Sequence, residues 1–271
     1  MKQKVVAIIQ GRMSSSRLPG KILTDISGQP MLSRVMIRVS RAMTLDQIIF
    51  ATTIDASDDP VAEYCDFSGI SYTRGSLFNV LDRYYQTASQ TKADVVVRIT
   101  ADCPVIDSEL IDNVVNTLLE GEYDFVCNRL PPPYQRTYPI GLDVEVCTFK
   151  ALKKAWKEAK EPQHREHVMP YLYEEVKLSP INRQFSEGVS PRGFKVALLN
   201  HITDFGDYRW TVDTHEDLEF MREVYKHFNS RDDFSWKEVL DLVHDNPELA
   251  KINANVQHKN LKDVDTRASK K

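Results

Sequence analysis

One stretch decides the fold: Val5-Val6-Ala7-Ile8-Ile9-Gln10-Gly11-Arg12-Met13-Ser14-Ser15-Ser16-Arg17-Leu18-Pro19-Gly20-Lys21. Its first five residues are apolar and predict a buried strand, and the next twelve carry three cations among serines and glycines, with a proline that breaks any helix. A small-residue loop brings backbone N–H groups close to an anion, and arginine and lysine add positive charge beside it. Since α/β folds bind ligands where a buried strand ends, the stretch predicts a polyphosphate-binding loop in preference to a solvated basic loop.

The loop matches neither the P-loop pattern Gly-x-x-x-x-Gly-Lys-Ser/Thr nor the dinucleotide pattern Gly-x-Gly-x-x-Gly. It resembles the opening of the nucleotidyltransferase family that makes CMP-activated sugars, which includes the CMP-Kdo synthetases and the acylneuraminate cytidylyltransferases. In that family a first strand runs into Arg-x-x-Ser-Ser-Arg-Leu-Pro-Gly-Lys, which residues 12–21 match. The start Gln10-Gly11-Arg12 is most similar to the branch named for the spore coat polysaccharide protein SpsF, and the resemblance covers roughly residues 4–225.

This resemblance implies that the loop binds a nucleotide, through Gln10, Gly11, Arg12, Ser14, Ser15, Arg17 and Lys21. Arg17 and Lys21 would also act in catalysis, because cations on the β- and γ-phosphates offset charge on a leaving pyrophosphate. The resemblance places Arg74, Asp82 and Arg83 in the nucleotide pocket as well, although the last two equally fit a solvated pair on a helix.

Length and composition restrict the class of protein. The 271 residues and 42% hydrophobic content predict one large α/β domain, or one domain with an insertion. A net charge of −4 argues against nucleic acid or a membrane surface as a partner. Four widely spaced cysteines without a Cys-x-x-Cys pair indicate reduced, buried thiols. The sequence shows no signal-peptide pattern and no apolar run of about 18 residues, so we expect a cytoplasmic enzyme.

Strand and helix patterns alternate up to residue 127. They predict strands at 48–53, 70–73, 94–100 and 123–127, and helices at 30–43, 57–67, 80–91 and 107–119. Such alternation is typical of a mostly parallel, doubly wound sheet. The resemblance specifies this fold further as nucleotide-diphospho-sugar transferase-like.

The pattern changes at Leu130-Pro131-Pro132-Pro133, a stiff connector. We interpret residues 130–190 as an insertion or lid within a domain of residues 1–245. The segment has a half-exposed strand pattern at 142–147 and helix patterns at 149–160 and 166–175, whereas 184–195 has little periodicity. Residues 210–214 are predicted to return to the sheet, before helices at 214–227 and 235–244; residues 246–271 are polar and predict a flexible tail.

Two acids are candidate metal ligands. Asp102, in Thr100-Ala101-Asp102-Cys103-Pro104, follows a predicted buried strand, where an acid faces the ligand crevice. The alternative role, a helix cap, suits Asp107 or Ser108 better. The resemblance makes Asp102 a catalytic metal ligand and Asp213 the second, since Val212–Leu218 resembles the family's Ile-Asp-Thr-Pro-Glu-Asp-Leu, with His215 in place of proline. Mg²⁺ suits one or two carboxylates together with phosphate oxygens.

The remaining candidates concern the acceptor. Residues 163–171 resemble the family segment that approaches the sugar, which makes His167 a sugar contact; zinc at His164 and His167 lacks a third ligand. Residues 141–146 match the branch pattern Gly-Leu/Phe-Asp-Val-Glu, so that Asp143 and Glu145 either bind sugar hydroxyls or amines, or form an exposed strand face. Arg136 or Arg165 would clamp a carboxylate. Arg98, within a predicted central strand, needs an acidic partner.

These features predict a cytidylyltransferase that transfers CMP from CTP to a 2-keto-3-deoxy sugar acid and releases pyrophosphate. The resemblance implies an anionic sugar acceptor and a homodimer formed through the 130–190 segment. Another sugar-phosphate or phosphonate nucleotidyltransferase is an alternative. A glycosyltransferase would need a metal-binding Asp-x-Asp, and the strict match is Asp263-Val264-Asp265 near the C-terminus. A non-catalytic relative would lack a metal acid or a loop cation, and the sequence has all of them.

Overall fold

The computed structural model describes residues 2–257, which contain eleven strands and ten α-helices. The strands are β1 (Val5–Gln10), β2 (Asp25–Ile26), β3 (Gln29–Pro30), β4 (Gln47–Thr53), β5 (Tyr72–Gly75), β6 (Val95–Thr100), β7 (Phe125–Cys127), β8 (Glu145–Thr148), β9 (Ser179–Asn182), β10 (Phe185–Val189) and β11 (Lys195–Leu199). The helices are α1 (Met31–Val39), α2 (Asp59–Ser68), α3 (Val80–Thr91), α4 (Ser108–Gly121), α5 (Phe149–Glu158), α6 (Pro162–His167), α7 (Pro170–Tyr173), α8 (His215–His227), α9 (Trp236–Asp245) and α10 (Pro247–Lys251).

Nine strands form one twisted sheet in the order β5-β4-β1-β6-β8-β7-β11-β10-β9. β8 and β10 run opposite to the other seven strands, so the sheet is mostly parallel, as the sequence predicts. Residues 5–9 of β1 are buried because the strand lies between β4 and β6 and is covered on both faces. This continuous apolar run is what a central parallel strand requires.

The first half of the chain follows the predicted pattern closely. The α4 helix is capped by Asp107, whose carboxylate accepts a hydrogen bond from the Leu110 N–H, and this leaves Asp102 outside the cap. The four cysteines are free and buried, as expected. Within the described part of the chain, we find no helix that is both long and apolar enough to span a bilayer.

Residues 130–190 depart from the predicted elements. The strand predicted at 142–147 as half-exposed is β8, which starts at Glu145 and lies buried between β6 and β7 in the main sheet. The helix predicted at 166–175 is interrupted, because Val168 has a φ of 71° and Pro170 starts the separate α7. The segment predicted to lack periodicity forms β10 and the start of β11.

The prediction that residues 210–214 return to the sheet is wrong. These residues, all within the described chain, form no strand; instead the Trp210 N–H donates to the Ile140 carbonyl and the Val212 N–H to the Asp102 carbonyl. Through Trp210 and Val212, residues 210–214 are therefore hydrogen-bonded to loop residues and not to a strand of the sheet. The tail predicted from residue 246 begins as folded chain, with α10 and a buried Asn253, whereas 258–271, including Asp263-Val264-Asp265, lie outside the described residues.

Candidate active site

A cavity opens where β1 and β6 end, at the carboxyl edge of the parallel strands. The loop at residues 10–21 forms one side, and α3, α6 and the segment before α8 contribute the others. Ten predicted site residues line it: Gln10, Gly11, Arg12, Ser15, Arg17, Lys21, Arg83, Asp102, His167 and Asp213. The sequence therefore brings most of the predicted nucleotide and metal residues to one place.

The loop is held in shape by contacts with its neighbours. A Cβ on Gly11 would lie 2.8 Å from the Cβ of Ala101, so only glycine lets the loop pass this close to the end of β6. The Met13 N–H donates to Asp58, a buried carboxylate, at 2.7 Å, and the Gly20 N–H donates to the Met13 carbonyl at 2.8 Å. These bonds fix the backbone before any ligand arrives.

Lys21 lies at the centre of the site. Its Nζ donates to Asp102 Oδ2 at 2.7 Å, to Asp213 Oδ1 at 2.9 Å and to the Val212 carbonyl at 2.8 Å, and its side chain is 8% exposed. Burial alone lowers the pKa of Lys21, but the two carboxylates outweigh burial and bring this pKa above its ordinary value. The ammonium is therefore charged at neutral pH and joins the two acids.

Asp213 is surrounded by cations. Its Oδ2 accepts from Arg17 at 2.8 Å and from Arg209 at 2.9 Å, while Oδ1 accepts from Lys21. Burial by itself would raise the pKa of Asp213, but Lys21, Arg17 and Arg209 hold it well below its usual range. The carboxylate is thus ionised at neutral pH.

Asp102 and Asp213 fit a magnesium ion in number and chemistry, because both carboxylates reach the same Lys21 atom and face one crevice. Among residues 2–257 no three His, Cys, Asp or Glu side chains gather as metal ligands. A bound Mg²⁺ would therefore take its other ligands from water and phosphate oxygens, as it does in sites of this kind.

Another part of the cavity wall comes from α3 and α6. Arg83 on α3 is 3% exposed and donates to the Ser76 carbonyl; burial, with a smaller effect from Arg12, lowers the pKa of Arg83 to about 10. The guanidinium stays charged at neutral pH. On α6, Glu166 and His167 reach the cavity. This wall therefore adds a guanidinium, a carboxylate and an imidazole to a cavity whose loop side is basic.

Comparison with known proteins identifies the family. A family model described as cytidylyltransferase matches residues 6–229. The chain belongs to the cytidylyltransferase family. It is 36% identical to an uncharacterized protein of Methanocaldococcus jannaschii, over 97% of this chain and 99% of that protein. It is 30% identical to the spore coat polysaccharide biosynthesis protein SpsF of Bacillus subtilis, over 91% and 96% of the two chains.

Two further matches concern named cytidylyltransferases. A solved cytidylyltransferase from Leptospira borgpetersenii superposes with a TM-score of 0.81 at 30% identity and covers 95% of this chain and 100% of its own. The mitochondrial 3-deoxy-manno-octulosonate cytidylyltransferase of Arabidopsis thaliana is 40% identical over 43% of this chain and 40% of its own length. The predicted resemblance to SpsF and to the CMP-Kdo synthetases is confirmed, and the chain is a CTP-dependent nucleotidyltransferase.

Several predicted site residues of this cytidylyltransferase lie elsewhere. Taken over residues 2–257, the cavity lining does not include Ser14, Arg74, Asp82, Arg136, Asp143, Glu145 or Arg165. Arg74 pairs with Asp59 at 2.6 Å, and Asp82 accepts a hydrogen bond from the Trp156 indole at 2.8 Å. Arg74 and Asp82 therefore contact other parts of the protein in this structure, and their contact with the nucleotide stays a prediction.

The exposed strand face, which was the alternative to sugar binding for Asp143 and Glu145, is absent within the described chain, and their contact with the sugar stays a prediction. Asp143 accepts hydrogen bonds from the two terminal nitrogens of the Arg136 guanidinium, Nη1 and Nη2. Glu145 is buried in β8 and pairs with Arg98, which also donates to Gln10 Oε1 at 3.1 Å. The alternating pattern suggested a strand with one exposed face, but β8 lies between β6 and β7 and is buried. A buried carboxylate needs a cation beside it, and Arg98 supplies one for Glu145.

Three charged residues in or beside the cavity were missed as site residues: Arg98 and Glu166, which line it, and Arg209, which lies behind Asp213 outside the lining given for residues 2–257. Arg98 lines the cavity, and the sequence indicated only that it needs an acidic partner. Arg209 contacts Asp213 but gives little sequence signal, since it lies outside a helix or strand. Its position four residues before Asp213 is the one local indication that the two side chains pair.

Proposed function

We propose that this cytidylyltransferase transfers CMP from CTP to a 2-keto-3-deoxy sugar acid and releases pyrophosphate. The observation that carries the proposal is the meeting of Lys21 with Asp102 and Asp213, beside a fixed loop that also presents Arg12 and Arg17. Cations on the phosphates and two acids at the reacting end are what a nucleotidyl transfer requires, because this chemistry depends on positioning and on charge stabilisation.

In this proposal the triphosphate lies along the loop. Arg17, whose side chain is 27% exposed, and the more deeply buried Lys21 bind the β- and γ-phosphates and offset the charge that develops on pyrophosphate. Both cations contact Asp213 in the structure. When the triphosphate binds, Arg17 and Lys21 therefore replace part of their contact with Asp213 by contacts with phosphate oxygens. Arg83 adds positive charge to the cavity lining.

Asp102 and Asp213 would hold Mg²⁺ in this proposal. The ion, when bound, supplies charge neutralisation at the α-phosphate and acidifies the acceptor hydroxyl. Before ligands bind, Lys21 contacts both carboxylates and limits their repulsion. The acceptor hydroxyl attacks the α-phosphorus, its proton passes to solvent or to a nearby base, and the bond to the β-phosphate oxygen breaks.

The charge of the cavity supports an anionic acceptor. Among the described residues, the lining holds five arginine or lysine side chains, Arg12, Arg17, Lys21, Arg83 and Arg98, and three carboxylates, Asp102, Glu166 and Asp213. Arg98 is paired with the buried Glu145, so the lining keeps four such cations against three carboxylates, and this excess suits a triphosphate together with a sugar carboxylate. His167 and Glu166 of α6 also line the cavity and suit sugar hydroxyls. The name of the Arabidopsis relative supports an acid of the same class.

We further propose a surface polysaccharide as the destination of the product, supported by the name of the Bacillus subtilis relative. A homodimer is the proposed assembly. It is supported by the edge strand β9 and its neighbour β10, which expose Ile181 at 58% and Val189 at 61% at the end of the sheet. An unpaired edge with apolar side chains is a surface that a second chain can cover.

A pyrophosphate-release screen tests the proposal. CTP, UTP, GTP and ATP are each combined with Mg²⁺ and a panel of eight- and nine-carbon 2-keto-3-deoxy acids, with neutral sugar 1-phosphates beside them. We expect the highest kcat/KM with CTP and a keto acid, and its loss in Asp102→Asn. Faster release with UTP and a neutral sugar 1-phosphate would replace this assignment by a general sugar-phosphate nucleotidyltransferase.

A further inference from the structure

The last described residues reach the site from beyond the family match. The match ends at residue 229, whereas the chain continues through α9 and α10 and then returns toward the loop. The Gln257 carbonyl accepts a hydrogen bond of 3.4 Å from Arg17 Nη1. The segment of residues 247–257, called the C-terminal segment below, therefore lies beside a proposed phosphate-binding arginine.

Asn253 anchors this segment in the interior. The residue is 4% exposed, and its amide nitrogen donates to the Arg209 carbonyl at 2.8 Å and to Asp217 Oδ1 at 3.0 Å. Leu249 and Ile252, which precede it in the segment, pack against the main core. A buried amide with two such partners has one favourable orientation, because an unpaired polar group in the interior is costly.

Asp217 connects Asn253 to the site. Its carboxylate is fully buried and accepts two hydrogen bonds from Arg209, at 2.8 and 2.9 Å. It also accepts the backbone N–H of Asp213 at 2.9 Å and closes the capping box of α8 with Thr214. One carboxylate thus fixes both the backbone of Asp213 and the guanidinium that holds the Asp213 side chain.

We propose that Asn253 is a positioning residue for Asp213: its amide holds Asp217, and Asp217 with Arg209 orients the Asp213 carboxylate toward Lys21. The inference rests on the proposed role of Asp213 in nucleotidyl transfer. Orientation matters here because Asp213 contacts three cations. Its carboxylate could rotate to favour a different cation if its position were not fixed. Displacements of about 1 Å at such a group cost up to about a hundredfold in rate.

Asn253→Ala and Asn253→Asp test the inference, with Asn255→Ala and Asn255→Asp as matched controls, since Asn255 is exposed in the same segment. We expect kcat to fall about tenfold in Asn253→Ala and further in Asn253→Asp, which sets a second carboxylate against Asp217. KM for CTP should change by less than about threefold, because the cations of the loop remain in place. Both Asn255 variants should match the wild type.

A double-mutant cycle separates positioning from general support of the fold. In the Asp213→Asn background, Asn253→Ala should cause no further loss of residual kcat, because the group that Asn253 orients has been removed. An unchanged kcat in Asn253→Ala, or a full additional tenfold loss in the Asp213→Asn background, would overturn the inference. The cycle uses whichever nucleotide and acceptor the wild type turns over best, so an error in the acceptor assignment leaves its outcome readable.

Discussion

The loop at residues 10–21 and the corner around Asp213 meet at Lys21, and they are built in different ways. The cavity residues of the loop begin at the end of β1 and lie close together in the sequence. The corner is assembled from Arg209, Asp217 and Asn253, of which the first and last are 44 residues apart and form a direct hydrogen bond. One side of the site is therefore encoded locally and the other depends on tertiary contacts.

This difference affects how each side resists change. The loop is fixed by backbone hydrogen bonds and a close approach at Gly11, which most side-chain substitutions leave intact. The corner is fixed by buried charged side chains, and removing one partner leaves the others unpaired. We therefore expect substitutions in the loop to affect mainly ligand binding or turnover, and substitutions in the corner to affect stability as well.

The largest effect is expected where the two sides meet. Lys21→Met should lower kcat about a thousandfold, because it removes a cation from the leaving group and leaves Asp102 and Asp213 facing each other. Pyrophosphate release measures the loss, and Lys157→Met, at an exposed lysine, is the control. A decrease below about tenfold would assign Lys21 a structural role only.

The asparagine variants of Asp102 and Asp213 should differ in their free energy of unfolding but lose turnover to a similar extent. Asp102→Asn and Asp213→Asn should each lower kcat about a hundredfold or more. Asp213→Asn should also reduce the free energy of unfolding by about 1–3 kcal/mol, because it weakens contacts with three cations at once. Asp102→Asn should cost less, because it weakens one ion pair and Lys21 keeps Asp213 as a partner.

Urea unfolding at pH 7 compares these two variants. Equal stability of Asp102→Asn and Asp213→Asn would contradict the view that the corner depends on its charged side chains. Wild-type turnover in either folded variant would remove that residue from the proposed magnesium site.

A smaller effect is expected for Arg17→Ala. A charge-assisted phosphate contact contributes about 1.5–3 kcal/mol, so the Kd for CTP should rise about tenfold to a hundredfold, with little change in the Kd for CMP. Isothermal titration calorimetry measures both constants. Equal losses for CTP and CMP would show that the Arg17 guanidinium is remote from the β- and γ-phosphates.

The smallest effect is expected for Arg136→Ala. This residue was predicted to bind the acceptor, but its guanidinium pairs with Asp143 outside the cavity lining of residues 2–257. We expect kcat/KM for the acceptor to change less than about threefold, as for a partly exposed ion pair. A loss of tenfold or more in acceptor KM would restore Arg136 as a sugar ligand and extend the site beyond the cavity.

The sequence predicts the loop because strand and small-residue signals are local. It also predicts that Asp102 and Asp213 meet, although the strand expected before Asp213 does not form. Alternation alone could not reveal that Glu145 faces Arg98, since a buried ion pair and an exposed strand face have the same pattern. Asn253 was interpreted as part of a polar tail because the two groups it binds are brought near only by folding.

The position of β8 has a consequence for synthesis on the ribosome. β6 pairs with β1 on one side and β8 on the other, and β8 also pairs with β7, so β8 joins the two halves of the sheet. Strands β1, β4, β5 and β6 are complete by residue 100, but the open side of β6 has no partner until residue 148 has been made. A nascent chain therefore carries an exposed strand edge for about fifty residues of elongation, which is when unpaired edges attract other chains.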